Sequence, residues 1–333
     1  MPELTVAAGL ARGLMDIAVA KGASRFELAA RSGIAAKDLE DVDRRIPFAK
    51  YVALMHAGQT LANDPALALH YGETNDMSDI SVVGLIAYAC ETMLEGMQQL
   101  NRYGRLVVEF DGPHDRFKVA QKDGGLWAVD NRENPNLFPE LTESTFARMI
   151  CAPRRFGVTQ IAKAVHVTHP APVYRAEYER IYGAPVTFEA DWNAVQLDEK
   201  WMTYKIALQP RYVFGILSEH ADALLKSLED SKSTRGRVES LLMPILHKGD
   251  ANMDAIAGKM GLSRQTLFRQ LKAEGTTFEK VLDELRHQLA LQYLSGKKAS
   301  VNETAYLVGF SEPAAFSRAF KRWTGTSPRE MRQ

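Results

Sequence analysis

The sequence is poor in cysteine: Cys90 and Cys151 are its only two. With no CxxC pair and no larger set, it offers neither a zinc ribbon nor a disulfide framework, and a reducing cytoplasm is the expected setting. Long apolar runs are also missing. The longest surrounds Val82 to Cys90, far short of the roughly 20 residues that cross a bilayer, so no membrane partner is expected. The opening MPELTVAAGLARGLMDIAVAKG is interrupted by Arg12, Asp16 and Lys21 and forms no secretory signal. There is no GxSxG, no HExxH and no phosphate loop, so no catalytic residue and no cofactor are expected. His166 and His169 stand three apart in a stretch that reads as strand. Such residues face opposite ways, so no shared metal is expected.

Net charge is absent overall, but the balance is uneven. From Lys232 to the end there are 17 Lys and Arg against 10 Asp and Glu, whereas residues 1–231 hold 24 against 31. A basic last third behind an acidic front points to a polyanion that meets only the tail.

The hydrophobic period changes along the chain. Residues 1–75 read as short helices, and SVVGLIAYACETMLEGMQQLNRY as one long helical region over about 81–103. Short β-rich runs follow: RLVVEF, RFKVAQ, LWAVDN, AVHVTH, PVTFEA and AVQLDE. Asp111-Gly112-Pro113 and Asp123-Gly124-Gly125 supply turn signals, and two helical patterns, FPELTESTFARMICAPRRFG and PVYRAEYERIYG, lie among the strands. The spacing predicts an α+β domain over 1–229, ending in a helix at 211–229 whose apolar face is broad enough for a dimer contact. Polar residues 230–236, DSKSTRG, read as the linker. Residues 237–333 read as helix throughout.

Within that tail one pattern occurs twice, at Ala257 and Ala305: Ala, three residues, Gly, an apolar residue, Ser, then a basic stretch ending at Gly. These are the needs of a helix-turn-helix. The small Ala lets two helices cross closely. Gly261 and Gly309 can take a positive φ, and Leu262 and Phe310 plug the corner. Ser263 and Ser311 are placed to cap the second helix, and Pro313 suits a first helical turn. Leu267 and Leu271 face inward, as do Phe316 and Phe320, shifted by one residue. Arg264, Gln265, Phe268, Arg269 and Lys272 remain outward in the first copy, with Ala314, Ser317, Arg318, Lys321 and Arg322 in the second. Arg reads guanine, Gln reads adenine, and flanking cations neutralise phosphate. TFEKVLDELRHQLALQYLSG between the copies reads as one helix. At about 28 Å it would set the two readers near one DNA turn apart. FELAARSGIAAKDLED repeats the Ala-xxx-Gly spacing, but Asp38, Glu40 and Asp41 would repel phosphate, so it belongs to the front domain.

These residues, and GFS…FSRAFKRWTGTSP above all, resemble the AraC/XylS transcriptional regulators. In that family an all-α DNA-binding domain carries two helix-turn-helix units joined by a long helix. VVGLIAYACETMLEGMQQLNRY and HVTHPAPVYRAEYERIYGAPVTFEADWNAVQLDEKWM resemble the arabinose-binding-like front domain of one subgroup. Pro313 and Ala314 replace residues that are often polar there, which leaves the second copy to grip backbone. The resemblance implies promoter DNA as partner and a small-molecule effector, with Phe110, Phe117, Trp127 and Arg155 as candidates to line its pocket. A second copy of the chain and RNA polymerase are further candidate partners. Two other readings stay open: a regulator governed by a protein partner, and an enzyme with an appended helix-turn-helix.

Overall fold

A computed structural model describes residues 3–112, 115–122, 124–205, 211–249, 251–295 and 299–331; the side chains at 155, 156, 199, 202 and 295 are outside the description. The chain forms two compact units, Met1–Leu225 and Lys226–Gln333.

The first unit begins with short strand β1 (Thr5–Ala7) paired antiparallel to β2 (Arg45–Pro47). Helices α1 (Ala8–Ala20), α2 (Arg25–Ser32), α3 (Phe48–Leu61) and α4 (Leu67–Thr74) pack around Leu10, Leu14, Leu28, Tyr51, Leu54 and Tyr71. After α2, Gly33 turns with φ 66°, and a single tight turn over Ala36–Leu39 follows instead of a second recognition helix.

The expected long helix at 81–103 is two helices. α5 (Val82–Ala89) is capped by Ser81, and α6 (Met93–Val107) by Thr92, whose Oγ1 accepts from Glu95 N at 3.2 Å. α6 also absorbs Arg105, Leu106 and Val107 of RLVVEF; Val108 is extended and makes an isolated bridge with Val6, so the run is not a strand of its own. Tyr103 and Leu106, three apart, are buried on one face, so packing of that face holds Val107 in the helix against its β preference.

A five-stranded sheet follows, ordered β3 (Phe117–Lys122), β4 (Gly125–Asp130), β7 (Asn193–Leu197), β5 (Ala162–His166), β6 (Val186–Thr187). It is antiparallel except for the β5–β6 pair. One face packs on α7 (Pro139–Cys151) and α8 (Arg175–Tyr182) through Ala128, Val165, Val195, Phe146, Tyr178 and Ile181. Alternation along β4 puts Trp127 and Val129 on the other face with Ala194.

Helix α9 (Arg211–Lys232) is tied to α6 by Arg211 to Glu95 at 2.7 Å and by Asp222, which accepts from Tyr103 Oη and Arg102, both at 2.9 Å. Residues 230–236, expected as the linker, are largely helical. α9 continues to Lys232, and Ser233 then caps α10 (Thr234–Leu242) by accepting from Gly236 N at 2.9 Å. A serine between two helices can break one and start the next, so its polar neighbours need no loop.

Among its described residues the second unit has helices and no strand: after α10 come α11 (Met253–Lys259), α12 (Arg264–Ala273), α13 (Phe278–Ser295), α14 (Val301–Leu307), α15 (Pro313–Thr324) and α16 (Pro328–Met331). Its core joins Val238, Leu242, Ile256, Leu267, Leu271, Val281, Leu285, Phe316 and Phe320. No described helix is long and apolar enough to cross a membrane.

Candidate DNA interface and ligand cavity

The first helix-turn-helix is α11 and α12. Gly261 turns with φ 69°, and Ser263 Oγ accepts from Thr266 N at 3.1 Å, so α12 starts directly after the serine. Leu267 and Leu271 are buried beneath it. Gln265, Phe268, Arg269 and Lys272 are exposed, and Phe268 keeps 49% of its surface in solvent although it is a large apolar ring. Arg264 is exposed as well, but its guanidinium is engaged by Asp254 of α11.

The second unit, α14 and α15, departs from the first at its corner. Ser311 does not cap α15. Proline disfavours the helical region for the residue before it, so Glu312 is extended (φ −136°, ψ 131°) and occupies the cap position without a side-chain bond. The helix therefore begins at Pro313, one residue later than in the first copy, which explains the one-residue shift to Phe316 and Phe320. Arg318 and Lys321 are exposed. Ser317 is half-buried and donates its hydroxyl to Pro313 O at 2.9 Å. Arg322 pairs with Asp283 of α13 at 2.9 Å. Trp323 packs beside His287 and Phe310 rather than facing outward alone.

α13 has 18 residues, about 27 Å of helix, and it carries residues that the sequence reading passed over. Arg286 donates from Nε to Val308 O and from Nη2 to Gly309 O, both at 3.1 Å, and lies over the Phe310 ring. It thus satisfies carbonyls at the end of α14 that the helix itself cannot. Burial lowers the pKa of Arg286, against the pull of Asp283. At the other end, the Glu274 carboxylate accepts from Thr234 N at 2.7 Å and Arg235 N at 3.0 Å, which locks the foot of α12 to the start of α10. Burial opposes ionisation of Glu274, but these amides outweigh it and hold the carboxyl below its ordinary range. Polar contacts thus brace the end of α14 through Arg286 and the end of α12 through Glu274. The outward faces of α12 and α15 present exposed cations, Arg269, Lys272, Arg318 and Lys321, and α12 adds Gln265, side-chain types suited to phosphate and base edges.

The first unit contains a cavity of about 150 Å³ between α5, α6, α7 and the start of β3. Apolar residues such as Leu10, Ile80, Met97, Leu100 and Met149 form most of its wall, with Arg116, Thr145 and Arg148 among the polar members. Of the four pocket candidates, Phe117 lines it. Phe110 is buried instead in the α1–α4 core. Trp127 packs against His166 and Trp192 on the opposite sheet face. The side chain of Arg155 lies outside the described residues. Arg148 and Thr145 were missed because a polar pair on an amphipathic helix reads as solvated. His166 and His169 have separate partners: His166 Nδ1 accepts from Trp192, and His169 meets Tyr178 Oη.

Two paired helix-turn-helix units behind an α+β unit define the class as a DNA-binding transcriptional regulator. Residues 22–206 match the arabinose-binding N-terminal domain of AraC transcription regulators, and residues 256–333 match a helix-turn-helix domain. The first match alone spans more than half of the chain, which belongs to the AraC family of transcription regulators. The ornithine utilization regulator of Pseudomonas aeruginosa is 26% identical over 97% of this chain and 95% of its own length. The regulator VirS of Mycobacterium tuberculosis is 24% identical over 87% of this chain and 85% of its own. Among solved structures, the transcriptional regulator CdpR from Pseudomonas aeruginosa covers 80% of this chain and 86% of its own, at 23% identity and a TM-score of 0.35.

Proposed function

We propose that this regulator's hold on promoter DNA is set by a small molecule bound in its first unit. The observation that supports this most is the largely apolar cavity inside the segment that matches the family's ligand-binding domain. On the DNA, α12 is the base reader through Gln265, Phe268 and Arg269, flanked by Arg264 and Lys272. α15 grips phosphate through Arg318 and Lys321, with Ser317 and Arg322 at its side. The apolar face expected to make the dimer contact, with Val213, Phe214, Leu217, Ala221, Leu224, Leu225 and Leu228, is buried or half-buried within the chain, so contact with a second copy is proposed at the exposed Tyr212 and Ile216 of α9 instead.

DNA affinity of the full chain, measured with and without the small-molecule fraction of a cell extract, tests effector control. That fraction should change the affinity of the wild type and not of Leu100→Trp, in which the cavity is filled. Equal behaviour with and without it would turn the reading toward control by a protein partner.

A further inference from the structure

The cavity has one charged end, and its charge is unbalanced. Among the described residues no aspartate or glutamate lines it, whereas Arg116 and Arg148 do. The Arg116 guanidinium is already used. It lies 3.1 Å from Asp130 Oδ2 and donates to Thr145 Oγ1 at 3.0 Å. Arg132 takes the same Asp130 oxygen at 3.0 Å. One buried carboxylate thus answers two buried guanidiniums.

Arg148 differs. It is 8% exposed, and its Nε and Nη2 are buried without an acceptor among the described residues. Its guanidinium sits 5.1 Å from the Tyr71 ring centroid, and the Tyr71 hydroxyl beside it answers at most part of a group with five N–H donors. A buried cation left so is costly unless an anion completes it.

The geometry of the unpartnered guanidinium edge narrows the anion. Nε and Nη2 form one edge of the guanidinium, a two-donor fork that matches the two oxygens of a carboxylate. A phosphate would leave further charged oxygens against an apolar wall. A cavity of about 150 Å³ in another protein admits benzene, so the rest of the ligand is apolar and about one ring in size. We infer that the cavity takes a small monocarboxylate with an apolar body, its carboxylate paired to the Nε–Nη2 edge of Arg148 and its body among Met97, Leu100 and Met149. This rests on the reading of the cavity as the effector site.

The test is thermal unfolding and calorimetric titration of the full chain with benzoate and hexanoate, beside the uncharged benzamide, the cationic benzylamine and inorganic phosphate. Benzoate or hexanoate should raise the unfolding temperature, and the other three should not. Arg148→Met should weaken the carboxylates about tenfold or more. Without ligand it should unfold no earlier than the wild type, because it removes an unpaired buried charge. The comparison of benzoate with benzamide on the wild type stands even if a variant fails to fold. Benzamide binding as tightly as benzoate, with both lost in Leu100→Trp, would overturn the carboxylate inference and leave the cavity as a ligand site. Phosphate binding in preference to the carboxylates, or no response to any probe, would also overturn it, while effector control would still be judged by DNA affinity with the cell extract.

Discussion

Gly309→Ala should unfold the second unit far more readily than Gly261→Ala, although the two glycines hold the same place in the repeat. Both adopt a positive φ, 80° and 69°, and an L-residue there loses about 1–2 kcal/mol. Their surroundings differ. A Cβ at Gly261 would meet nothing within 4 Å, whereas at Gly309 it would stand 2.2 Å from Leu246 O. That oxygen is backbone, Leu246 is 1% exposed, and the same carbonyl accepts from Gly249 N at 3.2 Å, so it cannot move aside cheaply. Overpacking of this kind adds about 1–3 kcal/mol. The expected losses are about 1–2 kcal/mol for Gly261→Ala and about 2–5 kcal/mol for Gly309→Ala. Hydrogen exchange of the full chain, read on peptides from α10 to α16, reports the opening free energy of this unit in each variant. Equal losses, or a larger one at Gly261, would refute the close approach of the α14–α15 corner to Leu246.

Two further outcomes follow from the same geometry. Ser263→Ala should cost about 1 kcal/mol by removing a helix cap, while Ser311→Ala should cost little because Glu312 holds the cap position; the same exchange measurement decides between them. Glu143, buried against Tyr178 and Tyr174, has its carboxyl pushed up from 4.5 to about 7, chiefly by burial, against the two tyrosine hydrogen bonds. Because the folded form holds the proton more tightly, its contribution is full below about pH 4.5 and is lost as pH rises through 7, roughly 3 kcal/mol in all. Urea unfolding between about pH 5 and about pH 8 should therefore show a fall in first-unit stability that Glu143→Gln flattens.

The second unit was legible because its chemistry is local. The Ala-xxx-Gly-apolar-Ser spacing fixes a close crossing, a positive-φ turn and a helix start within a few residues. The one local error, Ser311 as a cap, came from weighing its hydroxyl above the constraint that Pro313 puts on Glu312. The first unit was legible in class but not in detail. β1 and β2 are three residues each and pair across 40 positions, as Val6 with Ile46, and no local pattern announces such a pairing. RLVVEF looked β-rich, but Tyr103 and Leu106 continued a buried helical face. The cavity lay beyond reach for a related reason. It is assembled from α5, α6, α7 and β3, and only the fold shows that Arg148 is buried and lines it. Trp127 drew attention as a large aromatic, yet alternation along β4 sends it to the far side of the sheet.

The most direct test of the account is selection of genomic DNA fragments by the purified full-length protein beside its Arg269→Ala, Arg318→Ala double variant. The account predicts enrichment of a shared sequence spanning about two successive major-groove segments, lost in the variant. The same enrichment by the variant would contradict the assignment of the reading faces of α12 and α15.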